Sequence, residues 1–319
     1  MSLSVVIGLS AVIVSVADGE AVILTVRPQD HSTNRAADMP GLPFGPFDPR
    51  VRTFELALRA FVTAQTRLDL GYVEQLYTFG DEGRDAPLAD IGAGAARVIS
   101  VGYLALRPQA SETGAPDTAW SSWTRFFPWE DWRNGRPAVI DEIIAPALSG
   151  WAGVSAERAQ RAQSLFALDG ARWNEERVLD RYELLYDAGL AAEAHRDRPG
   201  SKGPIIAALG EPMISDHRRI LATGLGRLRG KLRYRPVVFE LMPAEFTLWS
   251  LQRTVEAIAG VALHKQNFRR GLDRTGLVEG LGRFDRGAGG RPAELFRFRR
   301  EQLGAGPAVG LALPLLRDA

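Results

Sequence analysis

The stretch from Phe246 to Phe298 limits what this chain can fold into more than any other, because it spells two short helices followed by a hairpin. Leu248, Leu251, Val255 and Ile258 recur at helical spacing behind Thr247, a residue able to cap a helix start, and the run stops at Gly260. A second helix is expected from Leu263, with Phe268 and Leu272 turned inward and Lys265, Gln266, Arg269 and Arg270 turned outward. Past Gly276, the apolar residues of Leu277 to Phe284 and Ala293 to Phe298 flank a turn-rich run, Asp285 to Gly290, as two strands of a wing would. This is the layout of a winged helix-turn-helix, and it implies DNA binding. The candidate contacts are Thr247, Lys265, Gln266, Asn267, Arg269 and Arg270 from the helices, and Arg283, Arg286 and Arg291 from the wing. Asn267 either reads a base or caps the turn, and Arg291 either meets phosphate or pins the wing. A basic helix face that is merely solvated is the plain alternative.

Charge points the same way. The net charge of +1 hides an asymmetry: residues 218–300 hold 18 Lys and Arg against 7 Asp and Glu, whereas residues 1–217 hold 20 against 29. A segregated basic block is the footprint of a nucleic-acid surface, and equally of a solvated basic one. The chain has no cysteine, which excludes disulfides, zinc fingers and thiol catalysis. Its histidines, His31, His195, His217 and His264, are scattered, so no metal site is expected. The apolar start, Val5 to Val16, is interrupted by Gly8, Ser10 and Ser15 and is too short to span a bilayer. A cytoplasmic protein without membrane contact is expected.

Ser4–Val16 and Glu20–Val26 read as strands joined by an Ala17-Asp18-Gly19 turn. A helix over Val51–Leu68, with Phe54, Leu58, Phe61 and Val62 on one face, precedes strands at Gly71–Phe79 and Arg97–Leu106. The first domain is therefore an α+β sandwich over residues 1–107. Residues 108–210 change character. Trp120, Trp123, Trp129 and Trp132 crowd together, read as packing of an inserted subdomain rather than a base-stacking site, and helical patterns follow at Ala138–Leu148, Ser155–Leu168 and Asn174–His195. Residues 211–241 read as a helix from Ser215-Asp216-His217 to about Arg229 and then a strand, Pro236–Leu241, with the winged helix over 242–319.

Gly41-Leu42-Pro43-Phe44-Gly45-Pro46-Phe47, a helix, Val73 to Gly80, a polar loop and Val98 to Leu106 together resemble a Nudix fold. Asp216 to Leu221, Phe246-Thr247-Leu248, Asn267 to Arg270 and Gly290 to Ala293 resemble the C-terminal half of NrtR-type regulators, Nudix-related transcription factors of NAD metabolism. The resemblance implies a Nudix-like α/β/α sandwich, a helical insertion over 108–210 and a C-terminal winged helix. It also implies a homodimeric repressor of NAD metabolism on a DNA operator, with ADP-ribose or a related nucleotide as effector and no required cofactor. Glu74, Arg84 and Tyr103 lie on or beside the strands that would line such a pocket, although each also fits an ordinary surface or core role.

The Nudix catalytic pattern needs four glutamates near one helix to hold divalent metal against a pyrophosphate. Anchored on Gly45 and Arg59, those positions hold Val51, Ala60, Thr63 and Ala64, and the following glycine position holds Thr66. A cage of hard oxygen ligands cannot be rebuilt from Val, Ala and Thr, so no catalytic residue and no metal is expected. Two other classes stay open: a divergent Nudix hydrolase recruiting Glu55, Glu74 or the Asp81-Glu82 loop, and an interaction scaffold with neither activity.

Overall fold

The computed structural model describes residues 5–27, 39–81, 97–111, 113–198, 206–285 and 292–301. It opens on the hairpin of β1 (Val5–Ala17) and β2 (Glu20–Val26). The two-residue turn between them needs positive φ twice, and Asp18 and Gly19 supply it at 52° and 77°. β3 (Phe44–Pro46) pairs with the first half of β1, and α1 (Phe54–Thr66) follows, capped by Thr53, whose side chain accepts the Leu56 N–H at 3.2 Å. β4 (Tyr72–Phe79) and β5 (Arg97–Leu106) complete the expected strands, β5 running parallel to β1.

One strand was not expected. β6 (Thr118–Ser122) pairs with β2, placing Trp120 opposite Leu24, so the sheet runs β4-β5-β1-β2-β6 and draws its last strand from beyond residue 107. The boundary read at 107 therefore cuts the sheet.

Alternation along the strands feeds two cores. Leu9, Ala11, Ile13, Val101 and Ala105 pack with Ala57, Leu58 and Val62 of α1. Val12, Val14, Leu104 and Leu106 join the opposite core with Ile220, Leu221, Leu225 and Leu228 of a long helix, α6 (His217–Tyr234). Gly224 permits that approach, since a Cβ there would stand 3.0 Å from the Val12 side chain. The result is the expected α/β/α sandwich, with α6 running past Arg229 to Tyr234.

Between β6 and α6 the chain is helical: a π-turn at Ile140–Ile144 runs into α2 (Ala145–Ala152), then α3 (Ala156–Phe166), α4 (Val178–Asp187) and α5 (Ala192–Asp197). The single helix expected over 174–195 is two, because the chain turns at Gly189 with φ 71° and Leu190 N–H reaches back to the Leu185 carbonyl at 2.8 Å. Trp123, Phe126, Phe127 and Trp129 are fully buried in the core that these helices share with α6. Val237–Leu241, read as a strand, is a 3₁₀ turn instead. Pro236 and Phe239 carbonyls accept from Phe239 and Met242 at 3.2 Å, and the turn seats Phe239 flat on Phe298 with ring centroids 4.1 Å apart.

The C-terminal unit follows the expected order. β7 (Phe246–Thr247), α7 (Leu248–Ala259), α8 (Lys265–Thr275), β8 (Val278–Asp285) and β9 (Ala293–Phe298) form a helix pair against a small sheet ordered β7-β9-β8. Among the described residues, no helix is long and apolar enough to cross a membrane.

Candidate functional site

α8 is held from one side and open on the other. Phe268, Gly271 and Leu272 are buried, while Lys265, Gln266, Asn267, Arg269, Arg270 and Arg274 are exposed. Among the described residues, none of the four cations in that set forms an ion pair, which leaves their charge available to phosphate. Asn267 Oδ1 accepts from Arg270 Nη2 at 2.7 Å, so the amide aims its neighbour. Arg274 was missed by the sequence reading. Its i, i+4 spacing from Arg270 was the available signal, and its Nε donates to the Arg270 carbonyl at 3.3 Å.

Thr247 has a local role. Its Oγ1 accepts the Ser250 N–H at 3.0 Å while Ser250 Oγ accepts the Thr247 N–H at 3.1 Å, a reciprocal cap on α7. Arg283 is exposed on the wing strand and ion-paired with Glu245. Arg286 and Arg291, the other wing candidates, lie outside the described residues.

The turn feeding α8 is fixed from beneath. Gly260 closes α7 with φ 70°, and a Cβ there would stand 2.3 Å from the Glu130 carbonyl oxygen. Trp132 N–H donates to the Gly260 carbonyl at 2.6 Å and Arg229 Nε to the Ile258 carbonyl at 3.0 Å. Glu256 Oε1 accepts the Leu263 N–H at 2.9 Å, bracing the turn from within.

Arg229 also pairs with Glu130, which is itself gripped by Arg181 at 2.6 and 2.9 Å; all three side chains are fully buried. Burial works to raise the Glu130 carboxyl, but Arg181 and Arg229 outweigh it and hold it below the ordinary range. A second buried pair joins Arg218 of the same helix α6 to Glu193 of α5, the guanidinium also donating to the Phe126 carbonyl at 3.0 Å.

The expected effector residues do not converge. Gln75 is opposite Tyr103 and Glu74 opposite Leu104 in the β4–β5 register, so Glu74 and Tyr103 belong to opposite faces of the sheet. Glu74 is ion-paired with Lys231 and hydrogen-bonded by Tyr72. Burial raises its carboxyl, yet these partners bring it below the ordinary value. Tyr103 is buried in the α1 core, where burial raises its hydroxyl. Arg84 lies outside the described residues.

On α1, Ala60, Thr63 and Ala64 are exposed and Val51 precedes the helix half-buried. Arg59 pairs with Glu55 at 2.9 Å and donates to the Gly71 carbonyl at 3.0 Å. Asp81 pairs with Arg219, and Glu82 lies outside the described residues. Among the described residues, no three His, Asp or Glu side chains come together as a metal cage would require.

A Nudix-like sandwich carrying a winged helix with an exposed basic helix face defines a two-part class of protein. Residues 238–298 match the family of NrtR DNA-binding winged helix domains. That family match covers the winged helix and not the Nudix-like sandwich in front of it. The chain is similar to a crystal structure of NrtR from Shewanella oneidensis complexed with a 27mer DNA, at 18% identity over 93% of this chain and 95% of that one, with a TM-score of 0.53. It is also similar to a MutT/nudix family protein from Enterococcus faecalis, at 14% identity over 94% and 88% of the two chains, with a TM-score of 0.54. A 91-residue stretch is 41% identical to an Acinetobacter baylyi protein called ADPR responsive transcriptional repressor NtrR, covering 28% of this chain and 36% of that relative's length.

Proposed function

We propose that this protein is a DNA-binding transcriptional repressor of NAD metabolism whose Nudix-like domain responds to a nucleotide of the ADP-ribose class. The observation that carries the reading is α8: an outward face with Lys265, Arg269, Arg270 and Arg274, free of ion pairs among the described residues, inside a segment that matches the NrtR DNA-binding family. Gln266 and Asn267 stand on the same face, Arg283 is exposed on the wing strand, Thr247 orients α7 through its cap, and Arg286 and Arg291 are retained as contacts on sequence grounds alone. The Shewanella relative of the same overall plan was crystallised with DNA, and the Acinetobacter relative is named for its ADP-ribose response. In this reading the protein acts as a homodimer, placing two α8 helices on two half-sites of an operator.

The Nudix-like domain senses rather than hydrolyses. Its support is the side chains at the glutamate positions, Val51, Ala60, Thr63 and Ala64, which offer no carboxylate to a divalent ion. A Mg²⁺-dependent phosphate-release assay on ADP-ribose that showed turnover would reverse this assignment.

The DNA reading is tested by selecting binding sites from a random duplex pool and measuring affinity by fluorescence anisotropy. Saturable, salt-sensitive binding to a two-fold symmetric site is expected, weakened in Lys265→Ala/Arg269→Ala/Arg270→Ala. Equal affinity in that variant would remove α8 from the interface. ADP-ribose should shift the same affinity, and for that it must bind the DNA-competent and incompetent forms unequally.

A further inference from the structure

A cavity of about 580 Å³ lies between the helical layer and the turn that feeds α8. Trp132 and Trp173 form one wall with ring centroids 4.5 Å apart, Ala167 and Ala171 another, and Val261 and Ala262 of the α7–α8 turn close it. Its remaining side chains are Arg133, Arg136 and Arg172, with no carboxylate among the lining residues.

The three arginines differ in commitment. Arg133 is held by Asp131 and Glu20 at 2.7 Å, and Arg136 by Asp141 at 2.9 Å and the Ala167 carbonyl at 3.0 Å. Arg172 is exposed and, among the described residues, forms no ion pair. The wall thus offers the Arg172 guanidinium, its charge and its donors, beside an apolar floor, in a volume that suits a ligand of nucleotide size.

We propose that this cavity is a binding site for a phosphate-bearing organic anion of mononucleotide size, with its phosphate on Arg172 and its body along Ala171, Val261 and Ala262. It lies apart from the sheet faces that carry Glu74 and Tyr103. Because Val261 and Ala262 lead directly into α8, occupancy bears on the DNA-facing helix; that consequence, though not the site, rests on the DNA-binding reading.

Calorimetry on the full chain with AMP as the probe tests the site, with adenosine and inorganic phosphate as separate arms. AMP should bind, adenosine at least tenfold more weakly. Arg172→Glu, on an exposed side chain without an ion pair among the described residues, should weaken AMP at least tenfold, and Ala262→Trp, at an exposed position, should abolish binding by filling the space. AMP binding that is absent, equalled by adenosine, or unchanged in both variants would overturn the proposal. Inorganic phosphate competing with AMP in the parent but not in Arg172→Glu would support it. The variant Lys265→Ala/Arg269→Ala/Arg270→Ala should keep its AMP affinity, so a failed DNA reading and a failed site give different results.

Discussion

The arginines of α6 and those of α8 lie in the same basic half of the chain and have opposite fates. Arg218 and Arg229 are fully buried, each against a carboxylate from earlier in the chain, Glu193 and Glu130, while Arg219, Lys231 and Arg233 pair with Glu183, Glu74 and Glu175. Arg269, Arg270 and Arg274 face outward and, among the described residues, pair with no carboxylate. Much of the charge asymmetry of the sequence therefore cancels on folding, because α6 supplies the cations that the acidic first part needs. What survives as an unneutralised field is concentrated on α8. A buried arginine must have its partner or the fold suffers, whereas an exposed one is free for a ligand.

The sharpest way to break this contrast is to remove one buried partner. Glu130→Gln leaves Arg181 and Arg229 without their shared carboxylate and should destabilise the fold by about 3–5 kcal/mol, read by urea unfolding. A loss under about 1 kcal/mol would mean that Arg181 and Arg229 do not depend on the Glu130 carboxylate. The matching change on the exposed side, Lys265→Ala/Arg269→Ala/Arg270→Ala, should leave stability within about 0.5 kcal/mol. It should lower the slope of log affinity for DNA against log salt by about 2.7, near 0.9 per lost phosphate contact.

His217, at the start of α6, sharpens the buried side further. Burial, with Arg196 nearby, pushes its imidazole down to about 3, while its Nδ1 accepts the Leu42 N–H at 3.0 Å. The unfolded chain takes up this proton near pH 6.5 and the folded one near 3, so stability is full above about 6.5 and falls as pH drops through that window. The slope should approach about 1.4 kcal/mol per pH unit. His217→Gln should flatten the slope between pH 6 and 5, and an unchanged slope would assign the effect to another group. Thr247→Ala is the smallest change: loss of the α7 cap should cost about 1 kcal/mol, seen as a lower Tm. If DNA affinity also falls more than tenfold with the fold intact, Thr247 contacts DNA directly as well as capping.

Legibility followed the range of the forces involved. The Asp18-Gly19 hairpin, the face of α1 marked by Leu58 and Val62, and the α7–α8 pair with its two wing strands were readable because turn chemistry and local periodicity write them into neighbouring residues. β6 was not, since Thr118–Ser122 has little apolar alternation and becomes a strand by pairing with β2. Val237–Leu241 is a continuous apolar run that fits strand or turn alike, and its packing of Phe239 on Phe298 decides the matter. The candidate pocket failed for a related reason: Glu74 and Tyr103 were near in chain plan, but the register of β4 on β5 sends them to opposite faces.

By itself, then, the sequence determined the opening hairpin, the amphipathic α1, the α7–α8 pair with its wing strands and the presence of a basic helix, because each depends on residue identity and short spacing. Only the tertiary structure decided which of the basic residues remain available. Charge counts along a chain cannot show that Glu130 and Glu193 will meet Arg229 and Arg218. That pairing depends on α6 lying against the helical layer, where desolvation leaves each guanidinium no stable alternative to its carboxylate.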